Sequence, residues 1–407
     1  MPSDILQIPE DRTRDHVRWL CELTSLHTAA GCEHRVIEWV ERWCQERPWA
    51  VLTRDTIGNM TIAIANAEAS ERPIYFTAHL DHPAFVIDSI IGPGTLGAQF
   101  RGGVMEPYFV GSRVCVHTSG GGVLGARVVE HEGAAPPERV FVRCVLELDA
   151  EAGDGVRVGD FATWDLPETS IDDEGIVHAR VCDDLAALAA ALCALDELAR
   201  DDQPQDVRVL MTLAEEVGFI GAIAACRERT MPEGSRLIAL ENSRAMPDAP
   251  IGNGPIVRVG DRLSTFSPSL TSSIAKVAQK LTNIPEQPVG SKNPEPDSPF
   301  KWQRKLMAGG ACEATAFCSF GYEATCVCLP LGSYHNMGEI DRVQDEVKRG
   351  ERDISASIEP ERIALSDFED LVLLLVGCGR WLIEAPSVRQ TLDKLYTERA
   401  FVLKGVD

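Results

Sequence analysis

Two stretches in which short apolar runs alternate with helical periodicity flank a glycine-punctuated segment, residues 84–176, that has no helical period. That alternation limits the fold more than any other feature. The runs PIYFTA (73–78), DVRVLMTLA (206–214), SRLIALE (235–241) and TCVCLPLG (325–332) are of the kind found in strands buried on both faces. Residues 13–47 carry two helical faces separated at Gly31, and 184–200 form a helix with leucines at 185, 188, 192, 195 and 198. Residues 49–65 read as two strands around the turn Asp55-Thr-Ile-Gly-Asn59. Helices are also expected over 217–229, 268–282, 310–320 and 360–384, with loops over 288–304 and 339–353. This rhythm predicts an α/β fold, a mostly parallel central sheet flanked by helices. In such sheets ligands collect at the C-terminal ends of the strands. The middle segment, with glycine clusters such as TSGGG and short runs such as SRVCVHT, reads as an inserted small all-β barrel. The predicted division is a catalytic domain over 1–83 and 177–407, interrupted by a barrel over 84–176.

Five of the strand ends carry ionisable groups: His79-Leu-Asp81, Asp183-Asp184, Glu215-Glu216, Glu241 and His335. Each alone has an ordinary explanation. A histidine at a strand end is commonly a hydrogen-bonded core residue, an aspartate before a helix is commonly an N-cap, and a Glu-Glu pair is commonly solvated. Together they are different. A parallel sheet brings these ends to one edge, where unneutralised carboxylates would repel and be forced to take up protons. Two divalent cations remove that conflict, and two histidines with several carboxylates suit zinc, or cobalt or manganese. Asp81, two residues after His79, is placed to orient that ring. Of Glu215 and Glu216, one can bind metal while its neighbour serves as a general base.

The formal net charge of −23 argues against a nucleic-acid partner. No window resembles a membrane helix and the first residues lack a signal-peptide pattern, so a cytoplasmic location is expected. The 13 cysteines have no paired spacing and several, such as Cys144, Cys193, Cys326 and Cys328, sit in apolar runs, which predicts buried thiols and no structural zinc site.

The same residues resemble the motifs of the tetrahedral aminopeptidases, the glutamyl- and deblocking-aminopeptidase group of co-catalytic di-zinc peptidases. Asp55-Thr-Ile-Gly-Asn59 looks like that family's D-x-x-G-N turn, and Ala78-His79-Leu80-Asp81 like its A-H-x-D motif. Cys182-Asp183-Asp184 resembles its L-D-D-R, and Glu215-Glu216-Val-Gly218 its E-E-V-G. Gly252-Asn-Gly-Pro255 is similar to its G-x-G-P loop, Gly309-Gly310 with Glu313-Ala314 to its G-G-T-D-A, and Tyr334-His335 with Glu339 to its Y-x-H-S-x-x-E. The resemblance implies that His79, Asp183 and Glu241 bind one metal and that Asp183 bridges. It implies that Glu216 and His335 complete the second metal and that Glu215 is the base. Glu313 would stand near the substrate amine. A cis peptide after Asp183, a small peptide substrate and a homo-oligomer, dimer or dodecamer, are implied as well. Leu185 stands where the family has arginine, His82 where it has an acid, Glu241 where aspartate is usual, and Cys312-Glu313 in place of Thr-Asp. These departures leave open a related amidohydrolase on the same metal centre, or an inactive scaffold on the peptidase fold.

Overall fold

The computed structural model describes residues 6–132, 140–149, 155–284, 298–382 and 388–405. Helices α1 (Glu10–Thr24) and α2 (His34–Gln45) lead into β1 (Ala50–Arg54), β2 (Met60–Ile64) and β3 (Ile74–His79). The chain then runs through β4 (Ala84–Gly92), β5 (Thr95–Arg101), β6 (Arg113–His117), β7 (Val123–His131), β8 (Val142–Leu148) and β9 (Phe161–Trp164), which close into a barrel in the order β4-β5-β8-β7-β6-β9. Its interior is filled by Phe85, Phe100, Phe109 and Trp164; Phe85 meets Phe100 and Trp164 edge-on at 4.9 Å. Inward-facing aromatics alternating with outward residues give these glycine-broken runs their pleat.

Strands β10 (Ser170–Ile171) and β11 (Ile176–Ala179) return the chain to α3 (Leu185–Leu198), after which β12 (Val207–Thr212), α4 (Ile220–Glu228), β13 (Arg236–Arg244), β14 (Ile256–Gly260) and α5 (Pro268–Leu281) follow. The remaining elements are β15 (Gln303–Leu306), α6 (Glu313–Ser319), β16 (Glu323–Leu331), α7 (Ile340–Lys348), β17 (Glu361–Ala364), α8 (Leu365–Trp381) and α9 (Val388–Arg399). Among the described residues the central sheet has eight strands, in the order β1-β2-β12-β3-β13-β16-β14-β15. Its middle, β12, β3, β13 and β16, is parallel, while β1, β2 and β14 join antiparallel. Every residue of the alanine- and leucine-rich α3 is buried between the sheet and helices α1 and α8. Small side chains let that helix approach β3 closely, so the acids that precede it reach the strand ends.

Three expectations need correction. Residues 339–353 are not a loop throughout, because Ile340–Lys348 forms α7, a polar helix with Val343 as its one fully buried residue. The segment 360–384 opens with a strand: β17 pairs antiparallel with β11 before the chain turns into α8. Strands β14 and β15 were not foreseen, and β15 takes up the end of the expected 288–304 loop, whose residues 288–297 lie outside those described. Among the described residues no helix is long and apolar enough to cross a membrane.

Candidate metal centre

Parallel pairing sets the site. The register aligns His79 on β3 with Thr212 on β12, and Glu241 on β13 with Cys328 on β16, so four apolar strands deliver their polar ends to one edge. Asp183 arrives from the loop before α3, through a cis peptide to Asp184.

His79 Nε2 lies 3.3 Å from Asp183 Oδ1, 3.9 Å from Glu241 Oε1 and 4.0 Å from Glu215 Oε2. His335 Nε2 lies 3.5 Å from Asp183 Oδ2 and 3.3 Å from Glu216 Oε1. One carboxylate, Asp183, thus stands between two imidazoles, each with carboxylates of its own. Both rings present Nε2 for the same reason. The Nδ1–H of His79 faces the Asp81 carbonyl oxygen at 3.1 Å, and that of His335 donates to the Gly103 carbonyl of the barrel at 2.6 Å. A histidine held this way offers its other nitrogen as a ligand. Among the described residues, three sets of ligand-type atoms lie within 4.8 Å of one another: His79 with Asp183, Asp184 and Glu241; His79 with Glu215 and Glu216; and Asp183 with Glu216 and His335.

The electrostatics show carboxylates that outnumber the two imidazoles beside them. Burial raises Glu215's carboxyl well above its ordinary value, with Glu241 and Glu216 adding to the rise. Burial and then Asp183 push Glu241 up to about 7. Burial opposes the charged imidazole of both histidines, yet the surrounding carboxylates together outweigh it, Glu215 with Asp183, Asp81 and Glu241 for His79 and Glu216 with Asp183 for His335, and both rings are raised. Among the described residues, buried Asp183 Oδ1 has no donor besides the His79 ring 3.3 Å away. Carboxylates forced toward the neutral form beside that oxygen fit a divalent-cation donor set, because a cation satisfies all of them at once.

The surrounding groups explain which acids are free to bind. Asp184 is engaged by the His79 amide at 3.3 Å and the Asn242 side-chain amide at 2.9 Å, and it makes no N-cap bond to α3. Asp81 does less for His79 than expected. Its Oδ1 is 3.6 Å from the ring, and the two carboxylate oxygens accept instead the backbone N–H groups of Glu215 (2.8 Å) and Glu216 (3.0 Å). Glu313, expected beside the substrate, is buried against β3 and receives a hydrogen bond from Thr77 at 3.4 Å; burial lifts its carboxyl to about 7. Glu339, matched by sequence to the family's closing glutamate, is exposed and paired with Arg342. A buried carboxylate that sequence reasoning missed, Glu361 on β17, is the one that holds the site: it accepts from the amides of Cys182 (2.7 Å), Asp183 (3.0 Å) and His335 (2.9 Å). His82 bridges the Asp183 carbonyl (2.6 Å) and Asn336 Oδ1 (3.0 Å), a link the sequence gave no sign of.

A cavity of about 400 Å³ opens beside Glu241. Met105, Met246, Met307 and Met337 line it, half of the chain's 8 methionines, together with Tyr334 and Arg258. Arg258 is 2% exposed; one of its terminal nitrogens donates to Ser243 Oγ at 3.1 Å, and its Nε has no partner among the described residues.

A parallel sheet that converges buried imidazoles and carboxylates beside a partly open pocket fits a metal-dependent hydrolase. Residues 58–294 match the M42 glutamyl aminopeptidase family, and the chain belongs to it. Solved structures share the fold. The TET1 peptidase of Pyrococcus horikoshii is 22% identical over 89% of this chain and 99% of its own, with a TM-score of 0.67. Aminopeptidase APDkam598 of Desulfurococcus kamchatkensis is 21% identical over 92% and 99%, with a TM-score of 0.69. A TET aminopeptidase from a marine sediment Thaumarchaeota archaeon is 20% identical over 90% and 97%, with a TM-score of 0.70. The chain is accordingly a metal-dependent aminopeptidase.

Proposed function

We propose that this enzyme is a co-catalytic di-metal aminopeptidase, with zinc the favoured ion, that removes acidic residues from the N-termini of short peptides. His79, Asp183 and Glu241 would hold one ion, and Glu216, His335 and the shared Asp183 the other. The observation that carries this is Asp183 lying between the two Nε2 atoms, each backed by further carboxylates. Bound divalent ions supply Lewis acidity at the scissile carbonyl and lower the pKa of water. The chain supplies the rest. Glu215, beside that donor set, takes a proton from the attacking water and returns it to the leaving amine. Tyr334 and the four methionines line the pocket beside it.

Arg258 decides the side chain. A buried guanidinium with an unpartnered Nε is costly unless something compensates it. A substrate carboxylate does so, while its methylenes lie against adaptable methionine side chains. The cluster's family membership favours this peptidase reading over a deacylase or an inactive scaffold. Self-association follows by analogy: the Pyrococcus horikoshii TET1 peptidase assembles into a tetrahedron or a large octahedral shell, and light scattering on this chain would show a mass well above one 44.4 kDa subunit.

The central test is Glu215→Gln. Turnover of a glutamyl nitroanilide should fall by roughly a thousandfold or more, while elemental analysis still finds two ions per chain. Metal lost together with activity would mean that Glu215 is a ligand and not the base.

A further inference from the structure

The turn that carries Glu215 is held by side chains from distant segments. Four successive backbone amides leave β12, and each meets a side-chain acceptor. Leu213 N–H donates to Asn59 Oδ1 at 3.1 Å, and Ala214 N–H to Glu33 Oε1 at 3.0 Å. Glu215 and Glu216 donate to the two oxygens of Asp81, as described above. The turn itself has no regular structure to fall back on: Ala214 and Phe219 have φ of 52° and 60°, in the left-handed region that disfavours residues with a Cβ. Such a conformation persists only where its surroundings impose it.

The acceptors are themselves fixed. Asn59 donates its side-chain amide to Asp55 Oδ2 at 2.7 Å and to the Gly221 carbonyl at 3.0 Å, so its Oδ1 can only face Leu213. Asp55 Oδ1 gathers the amides of Ile57, Gly58 and Asn59, which closes the D-x-x-G-N turn. Glu33 is 5% exposed, and its Oε1 also accepts from Gly31 at 2.9 Å. Neither Glu33 nor Asn59 is among the ligand-type groups.

We infer that Glu33 and Asn59 are positioning residues for Glu215. By fixing the backbone at Leu213 and Ala214 they aim the Glu215 carboxylate at His79 while Glu216, one residue later, points to His335. This rests on Glu215 being the base. A displacement of the base by about 1 Å would cost roughly a hundredfold in rate without touching the metal ligands.

The test compares Glu33→Gln, which keeps an acceptor oxygen, with Glu33→Leu, which removes it, alongside Glu215→Gln. Glu33→Leu should bind wild-type amounts of metal, hold KM within about twofold and lose kcat by roughly 10- to 100-fold, while Glu33→Gln recovers most of the loss. Asn59→Ala should show the same split, and it replaces Glu33→Leu if that variant does not fold. Unchanged kcat in folded Glu33→Leu, a fall in metal content matching the fall in rate, or both Glu33→Leu and Asn59→Ala failing to fold would overturn the inference. Full activity in Glu215→Gln would instead overturn the assignment of the base, so the two failures read differently.

Discussion

Arg258 concentrates the question of substrate choice in one side chain. Its guanidinium sits in the pocket wall, 2% exposed, and among the described residues its hydrogen-bond partner is a hydroxyl and not a carboxylate. If it reads the substrate's side chain, Arg258→Met should lower kcat/KM for glutamyl nitroanilide by roughly a hundredfold and leave leucyl nitroanilide within a few-fold, since only the acidic substrate loses a partner. Equal losses on both substrates would make Arg258 a packing residue. This role was not legible from the sequence, where Arg258 is a lone cation in the apolar run 255–260 with no motif around it. The ligand-type residues were easier. His79, Asp183, Glu215, Glu216, Glu241 and His335 each close an apolar strand or precede a helix, and strand-end acids in order are visible without a structure. Their supports were not. Glu361 lies 26 residues beyond His335 and Glu33 lies 181 before Ala214, and no local pattern links residues so far apart. Glu339, the glutamate the resemblance points to, stands in solvent at the head of α7, and Glu361 beyond that helix accepts the His335 amide.

At the scale of elements, the closing helix shows how one face can serve packing and loop anchoring together. Helix α8 packs on α3 and α5, but two acids on its buried side reach past them. Asp367 accepts the amides of Gly252 and Gly254, both at 2.7 Å, which fixes the G-x-G-P loop before β14. Gly254 suits that loop for two reasons: its φ is +82°, and a Cβ there would sit 2.0 Å from the Lys301 carbonyl oxygen. Asp370 accepts the Lys301 amide at 3.1 Å, and burial, followed by Asp367 and Glu369, raises its carboxyl to about 7. Its sign is fixed. Between the unfolded value of 3.8 and about 7 the folded protein holds the extra proton, so stability falls as pH climbs through that window. Asp370→Asn removes this titration and keeps an acceptor for Lys301. Its Tm advantage over wild type should therefore be larger at pH 8 than at pH 5, as scanning calorimetry would show; an advantage independent of pH would mean the carboxyl titrates normally. The periodicity of 360–384 announced this helix, but not the four residues of β17 ahead of it, because a strand of that length adds too few alternations to stand out.

Over the whole molecule, the cluster joins parts of the chain that nothing local connects. Its groups come from β3, the loop before α3, the turn after β12, β13 and the segment after β16, and the ring of His335 is oriented by Gly103 of the barrel. Without cations, this edge stores repulsion in a chain already carrying a net charge of −23. Bound ions would therefore act as cross-links between segments as well as reagents. Ligand that binds only the folded state stabilises it by RT ln(1 + [L]/Kd), about 2.7 kcal/mol at one hundred times Kd. Chelation should lower Tm by several degrees, and adding back zinc should restore it along with activity. Glu361→Ala, which strips acceptors from the amides of Cys182, Asp183 and His335, should weaken metal binding by roughly 10- to 100-fold and shift the metal concentration needed for that recovery upward by the same factor. A Tm that stays put while elemental analysis shows the metal gone would mean the acids are stabilised by protons alone, and the cross-link would have no part in holding the fold.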